Sequence, residues 1–569
     1  MHKVSRRDFI ASTATSLLAG RASSFASSTG RRPNVILFVT DDQGYGDLSH
    51  HGNKFLHTPH LDSIANDGRA LARFYVSPVC SPTRASLMTG RYNYRTGIVD
   101  TYMGRSMMYP DEITLAQILR GAGYRTGIFG KWHLGDNYPM RSIDRGFEES
   151  LALRGGGLEQ PGNVPHDSYF DPILQHNGVP EKQYGYCTDV LVNAAIEFIK
   201  SCRNQPFFAY IPTNAPHAPL LIDQSYVTPF TAGGLDGKTA KLYGMVANID
   251  ENMGRLLAAL KSLGLEEDTL LIFLSDNGPE LERFNAGLRG LKGTVYEGGI
   301  RVPCFIRWPR LIPAGRQIDR IAAHVDILPT VLEACGVEVP AELRLDGRSL
   351  LPMLRGAEVE APDRSLYFQW HRGDEPELYR NCCVVTQRYK WLSGSGAYGS
   401  PDPRGYRQEL YDLSQDPGEQ ADLSPAHEEL VTTMRDRYED WIYEVSSTRG
   451  YAPPRIQLGT PHEDPVMLTT QDWRGPRAGW NKQDSQGYWE VEVPEPANCE
   501  VTLLFNATTD SGTAHFMLNG ASFKQAIKKG ATECRFAPAP LRVGKGRFEA
   551  FVRVGGKTVG AQYVYVKRS

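Results

Sequence analysis

Asn34-Val35-Ile36-Leu37-Phe38-Val39-Thr40 is a strand pattern that ends directly in Asp41-Asp42. Val35 to Val39 is apolar at every position, with no alternation. A strand of that kind is covered on both faces, as in a parallel sheet flanked by helices. Phe207-Phe208-Ala209-Tyr210-Ile211 and Leu270-Leu271-Ile272-Phe273-Leu274 repeat the pattern, and Tyr124 to Phe129 gives a shorter version. Between them lie helical stretches. Val190 to Ile199 is one. Another is residues 240 to 263, where Met245, Ile249, Met253, Leu256, Leu257 and Leu260 recur at helical spacing. Alternating strands and helices predict a doubly wound, mostly parallel α/β fold. Residues 136 to 186, rich in Gly, Pro and polar side chains, read as long loops over one face of it.

The polar residues fall in a regular place. Asp41 and Asp42, Lys131 and His133, His217, and Asp276 and Asn277 all lie just beyond the C-terminal ends of predicted strands. In an open parallel sheet that edge is where sites form, so distant segments should converge on one cleft.

With 569 residues the chain is too long for one ordinary core. Four regions are expected. Residues 1–30 form a leader, in which Ser5-Arg6-Arg7-Asp8-Phe9-Ile10 is a twin-arginine pattern followed by a weakly apolar run. That predicts an exported bacterial protein, periplasmic or secreted. Residues 31–365 form the α/β domain. Residues 366–450 read as a small α+β subdomain of short antiparallel strands and one helix. Residues 451–569, after Pro453-Pro454, read as an appended β-sandwich, with strand patterns such as Gly487 to Val493 and Arg547 to Val554. A net charge of -3 and the lack of Lys/Arg runs exclude a nucleic-acid partner, and no apolar run reaches a membrane span. Nine cysteines is an odd count, so at least one is unpaired, with Cys80 the candidate; Cys304 and Cys335 read as small core residues. No cysteine spacing matches a zinc site.

Val79-Cys80-Ser81-Pro82-Thr83-Arg84 leads into a predicted helix that Gly90 stops. Cys80 should therefore project from a helix N-terminus, which attracts anions, with Arg84 adding positive charge. Asp41, Asp42, Asp276 and Asn277 form an all-oxygen set suited to a hard divalent cation, Ca2+ or Mg2+. Lys131, His133, His217 and Lys292 are each weak signals alone; their shared position relative to the sheet edge raises them together.

Cys80-Ser81-Pro82-Thr83-Arg84 with Met88-Thr89-Gly90-Arg91 resembles the signature of the formylglycine-dependent (type I) sulfatases, arylsulfatase-like members of the alkaline-phosphatase superfamily. Gly123 to Gly127 with Gly130-Lys131-Trp132-His133-Leu134-Gly135 is similar to that family's second signature. Asp41-Asp42-Gln43-Gly44, Ser275-Asp276-Asn277-Gly278, Tyr296 to Pro303 and Glu409 to Leu413 extend the resemblance over about 33 to 450. It implies the following. A separate maturation enzyme, reading Cys80, Pro82 and Arg84, oxidises Cys80 to Cα-formylglycine (3-oxoalanine). Its hydrate attacks sulfur. One Ca2+, or Mg2+, is held by Asp41, Asp42, Asp276, Asn277 and the modified Cys80. Lys131, His217 and Lys292 hold sulfate oxygens, with His217 or Lys292 protonating the leaving oxygen. His133 deprotonates the second diol hydroxyl, and Arg84 anchors the modified residue. The expected substrate is a sulfated carbohydrate, with aryl sulfates also accepted. Tyr92, Tyr94, Arg95, Arg105, Trp370-His371 and the 154 to 186 loops are expected walls of a sugar pocket. Two alternatives are a phosphoester or phosphonate hydrolase of the same superfamily and a non-catalytic glycan-binding protein; the cysteine nucleophile and the filled catalytic positions argue against them.

Overall fold

The computed structural model describes residues 32–569 except 166, 203, 358–362, 399–405 and 481–483. The twin-arginine leader reading falls outside them.

The Asn34–Thr40 strand is fully buried and lies at the centre of a ten-stranded sheet. Thr269–Ser275 flanks it on one side and Phe207–Pro212 on the other, both parallel to it. Arg125–Lys131 and Glu149–Leu153 continue the parallel run beyond Phe207–Pro212. Outward of Thr269–Ser275 come Cys304–Arg307, antiparallel, then Arg69–Leu71 and Arg316–Ile318. Four of the five central parallel strands match the apolar runs of the sequence, because helices cover both of their faces; the fifth, Glu149–Leu153, falls in the stretch read as loops. The helix Gly237–Ser262 buries Met245, Ile249, Met253, Leu256 and Leu260 against one face. Helices Cys80–Thr89 and Ile327–Cys335 pack on the other.

Residues 136 to 186 are not only loops. They contain Glu149–Leu153 and an antiparallel pair, Ile173–His176 with Val179–Lys182, which extend the sheet to its far edge. Val179–Lys182 is exposed along its whole length, so no apolar pattern marks it.

Leu366–Gln369, Cys382–Val385, Tyr389–Ser393 and Glu409–Asp412 form a four-stranded antiparallel sheet. The helix Glu428–Ser446 covers it through Met434, Tyr438, Trp441, Ile442 and Val445. Further on, a six-stranded and a four-stranded sheet enclose a core around Trp489, Phe516, Phe548 and Val564. That core continues into Met107 and Met140 of the α/β region. Glu463 cements the junction: it accepts from Asn137 Nδ2 at 3.0 Å and from the Tyr138 backbone at 2.7 Å. All nine cysteines lie among the described residues, unpaired and buried. No helix among the described residues is long and apolar enough to cross a membrane.

Candidate active site

Parallel register sets Thr40 opposite Ser275, so Asp41-Asp42 and Asp276-Asn277 leave the sheet side by side. Asp42 turns with φ 64°, a strained value for a non-glycine residue of the kind that gathers at functional sites. Its amide donates to Asp276 Oδ1 at 3.3 Å, and Asn277 Nδ2 donates to Asp42 Oδ1 at 2.7 Å. The helix Cys80–Thr89, wholly buried and stopped by Gly90 at φ 66°, aims its first residue at this group. Cys80 Sγ lies within 4.8 Å of carboxylate oxygens of Asp41 and Asp276, and ligand atoms of Asp41, Asp42 and His217 form a second such group. The sequence places Cys80 one residue before the helix; it is itself the first helical residue, so the helix begins one position earlier, an ordinary uncertainty at helix ends.

Three cations enclose the carboxylates. Lys131 ends its strand just after Gly130, where a Cβ would stand 1.9 Å from the Pro212 carbonyl oxygen. Its ammonium is 2.6 Å from Asp41 Oδ2, and that of Lys292 is 2.8 Å from Asp42 Oδ2. Arg84 donates to Asp276 Oδ2 through Nε at 3.0 Å and Nη2 at 2.7 Å, and through Nη1 to the Lys131 carbonyl at 2.7 Å. Its guanidinium therefore locks two site residues in place. Burial raises the Asp42 carboxyl, but Lys292, His217 and the hydrogen bonds from Lys292 and Asn277 together hold it below the usual range. Burial and the Asp41 charge push Asp276 up to about 6 against Arg84. Burial also raises the Cys80 thiol, against the pull of Lys131 and Lys292, which makes the unmodified side chain a poor nucleophile.

The two histidines are fixed through opposite nitrogens. His133, at φ 57°, sets Nε2 2.7 Å from the Thr101 carbonyl. That makes Nε2 the N–H nitrogen and leaves Nδ1, buried and without a partner, as a lone-pair acceptor. Burial and Lys131 hold its pKa well below the usual value. His217 sets Nδ1 2.6 Å from the Ala218 carbonyl, so its Nε2, 3.8 Å from Asp42 Oδ2, carries the lone pair. Burial holds His217 near 4 despite Asp42.

The residues fit a hard cation. Asp41 Oδ1 and Asn277 Oδ1 are buried oxygens without a hydrogen-bond partner, a costly arrangement unless something positive meets them. All four donors are oxygens, the preference of Ca2+ and Mg2+.

The expected sugar-pocket residues fare differently. Arg95 is buried, bound to Asp346 at 2.9 Å and Glu444 at 2.9 Å, and Tyr92 and Tyr94 sit in the core beside Trp441. Trp370 is fully buried and donates to Asp100 Oδ1 at 3.1 Å; Arg105 binds Asp374 at 2.7 Å and lies 3.5 Å from Asp100. His371 is buried, its Nε2 accepting from the Glu377 amide at 2.9 Å. Arg95, Trp370 and His371 are buried in the scaffold, whereas Arg105 is partly exposed, and sequence could not tell a buried Trp or paired Arg from a pocket wall. The 154 to 186 segment does reach the site. A Cβ on Gly156 would stand 2.8 Å from His133 Cε1, and one on Gly157 would stand 3.2 Å from His217 Cε1. The triple Gly155-Gly156-Gly157 was the legible signal for that close approach. Gln471 escaped sequence reading altogether. It comes from the sandwich region, 370 residues from Thr101, yet its Nε2 donates at 2.8 Å to the carbonyl that holds His133.

Comparison with known proteins agrees with this geometry. Residues 33–337 match the family model Sulfatase, and residues 291–444 match the model N-sulphoglucosamine sulphohydrolase, C-terminal. Human arylsulfatase A is 32% identical over 457 residues, covering 72% of this chain and 86% of its own length. Pig N-acetylgalactosamine-6-sulfatase is 33% identical over 365 residues, 58% of this chain and 67% of that protein. Among solved structures, Ps i-CgsB in complex with k-i-k-neocarrahexaose aligns with a TM-score of 0.66 and 29% identity, covering 74% of this chain and 95% of that one. The phosphonate monoester hydrolase of Agrobacterium radiobacter, at 22% identity and a TM-score of 0.53, shares the fold.

Proposed function

Because this chain belongs to the sulfatase family of sulfuric ester hydrolases, within the alkaline-phosphatase superfamily, we propose that it removes sulfate from a sulfated carbohydrate, using an aldehyde made from Cys80 and one hard divalent cation, Ca2+ before Mg2+. The observation that carries this reading is the placement of Cys80, at a buried helix N-terminus and within 4.8 Å of the Asp41 and Asp276 carboxylates. The hydrated aldehyde supplies two hydroxyls on one carbon, one to attack sulfur as the alcohol leaves and one whose deprotonation expels sulfate. The cation supplies Lewis-acid charge at the reacting oxygen, and Asp41, Asp42, Asp276 and Asn277 would hold it.

The remaining roles belong to side chains in the structure. Lys131 and Lys292 present fixed charge for the sulfate oxygens as negative charge builds. His217, with its proton committed to the Ala218 carbonyl, offers Nε2 as an acceptor; Lys292 is then the donor to the leaving oxygen. His133 accepts the second hydroxyl proton on Nδ1, the nitrogen that Thr101 leaves free. Arg84 is a positioning residue for Asp276 and for the end of the Lys131 strand.

In this reading residues 31–365 carry the chemistry. Residues 366–450 brace the Lys292 side, where Tyr398 donates to the Lys292 carbonyl at 3.2 Å. Residues 451–569 brace the His133 side through Gln471. Cys80 to Thr89 is wholly buried, so a maturation enzyme must read Cys80, Pro82 and Arg84 before the fold closes over them. The twin-arginine pattern suits that order, because that route carries folded proteins out to the periplasm or beyond. Peptide mass analysis after co-production with a maturation enzyme should show aldehyde or hydrate at Cys80, and sulfate release should track that fraction. Full activity with an intact thiol would overturn the mechanism.

A further inference from the structure

A cavity of about 360 Å³ opens beside the catalytic centre, within the size of a small-molecule site, about 300–1,000 Å³. Asp42 is part of its lining, as are Pro216 and Ala218, the two neighbours of His217. Asp42 Oδ2 receives the Lys292 ammonium at 2.8 Å and lies 3.8 Å from His217 Nε2. Glu280, also on the lining, is close enough for its charge to help hold the proton on Lys292. The cavity therefore lies on the side where Lys292 meets the leaving oxygen, and it is placed to receive the alcohol that departs.

Its surface has two parts. Ala218, Leu220 and Leu281 are partly exposed and form an apolar floor. Leu242 backs them, buried with Leu56, Tyr243 and Val246. Lys238 and Lys241 supply the polar part; both are exposed, and both come from the start of the helix Gly237–Ser262. Positions three and four apart share a helix face, so Lys238, Lys241 and Leu242 line the cavity together.

The two lysines do not balance charges of the protein itself. Neither ammonium forms a hydrogen bond or ion pair among the described residues. Asp236, the acid nearest to them in sequence, accepts instead from the Lys238 and Thr239 amides and the Thr239 hydroxyl. The exposed Lys200, by contrast, pairs with Glu197 one helical turn away at 2.7 Å. Like charges one turn apart repel, so the Lys238 and Lys241 pair costs stability in the free protein, and an anion arriving between them would reverse that cost. A sugar ring has a face rich in C–H groups and carries charged substituents at its edge, which matches leucines flanked by ammonium groups.

We propose that this cavity receives the leaving sugar, and that Lys238 and Lys241 bind a second anionic group, a sulfate or a carboxylate, on that sugar or on the one joined to it. The preferred substrate is then a doubly charged glycan. This rests on the carbohydrate sulfatase reading above.

The test uses the full-length protein. The matured enzyme is compared by kcat/KM on nitrophenyl sulfate, on monosulfated disaccharides of galactose, N-acetylgalactosamine and N-acetylglucosamine, and on the same disaccharides carrying a second sulfate or a hexuronate carboxylate. Calorimetric binding of these disaccharides to the Ca2+-loaded Cys80→Ala protein gives a second readout that needs no turnover. The doubly charged disaccharides should be preferred by about tenfold, and the arm that shows it, sulfate or carboxylate, identifies the group. Raising salt from about 0.1 M to about 1 M should remove most of that preference, because exposed charges are then screened. Lys238→Ala/Lys241→Ala should erase it through KM, with kcat, nitrophenyl sulfate turnover and melting temperature unchanged. Equal binding of singly and doubly charged disaccharides, no binding of either, or a preference that survives the double variant would overturn the cavity assignment and leave the catalytic reading standing. Preferential binding with no sulfate released from any of the compounds would sink the catalytic reading instead.

Discussion

Two of the buried charge clusters among the described residues differ in completeness. Around Lys390, on the short antiparallel sheet, the ammonium meets Glu297 at 3.1 Å and Glu419 at 2.8 Å. Glu297 also accepts from Tyr75 at 3.1 Å and lies 3.6 Å from Arg301, while Glu419 accepts from the Glu297 amide at 2.7 Å. This cluster ties the α/β sheet to the α+β unit. The cluster at the strand ends has equally close pairs, but it leaves Asp41 Oδ1, Asn277 Oδ1 and His133 Nδ1 without partners and strains two backbones, at Asp42 and His133. Burial alone therefore does not mark function. The Lys390 cluster also has one oxygen without a hydrogen bond, Glu419 Oε1, but it lies 2.8 Å from the Lys390 ammonium and is met by charge. A cluster whose members meet one another in this way holds a fold together, whereas one left with several free acceptors is built for something that arrives later.

The sharpest way to break this contrast is to remove one member from each. Cys80→Ala should abolish sulfate release, a loss of at least about ten-thousandfold, as nucleophile deletions give. Its melting temperature should stay within a few degrees of the parent. Lys390→Met should do the reverse, because it strands two buried carboxylates: unfolding free energy in urea should fall by about 3–5 kcal/mol. Activity per folded molecule should persist. A Cys80→Ala protein that melts much earlier, or a Lys390→Met protein that is stable but inactive, would erase the distinction.

A cation should sharpen it. Ca2+ at a hundred times its dissociation constant should stabilise the matured protein by about 2.7 kcal/mol, read as a rise in melting temperature, since ligand binds only the folded state. Asn277→Ala removes one of the orphaned oxygens and should cut that rise. Glu297→Gln should leave it untouched. A Ca2+ response that survives Asn277→Ala unchanged would remove Asn277 from the ligand set.

Much of the site was legible because strand ends are legible. The apolar runs at 34–40, 207–211 and 270–274, with the shorter one at 124–129, fix where the sheet edge falls, and the carboxylates, Lys131 and His217 follow directly. Side chains that act across domains were not legible. Gln471 reaches Thr101 over 370 residues, and no local pattern encodes that meeting. Arg95, Trp370 and His371 show the opposite limit: each has the chemistry of a sugar contact, yet burial against Asp346, Asp100 and Glu377 assigns it to the scaffold. The Val179–Lys182 strand escaped because a fully exposed edge carries no hydrophobic period.

The smallest effect expected from the comparison is a pH slope in the complete cluster. Burial pushes the Glu419 carboxyl up to about 7, against the pull of Lys390 and with Glu297 adding to the rise, while Glu297 is held below its usual range. In the unfolded chain Glu419 would titrate near 4.5. Between those values the folded protein holds a proton that the unfolded chain has released. That contribution is fully present below pH 4.5 and is lost as pH rises through about 7. Urea unfolding measured from pH 5 to 8 should therefore show about 1–3 kcal/mol of stability lost through this group. Glu419→Gln keeps the shape without the ionisation and should flatten that part of the profile. A slope that survives the substitution would mean that Lys390 and Glu297 share the proton differently, and that the cluster is satisfied by charge alone.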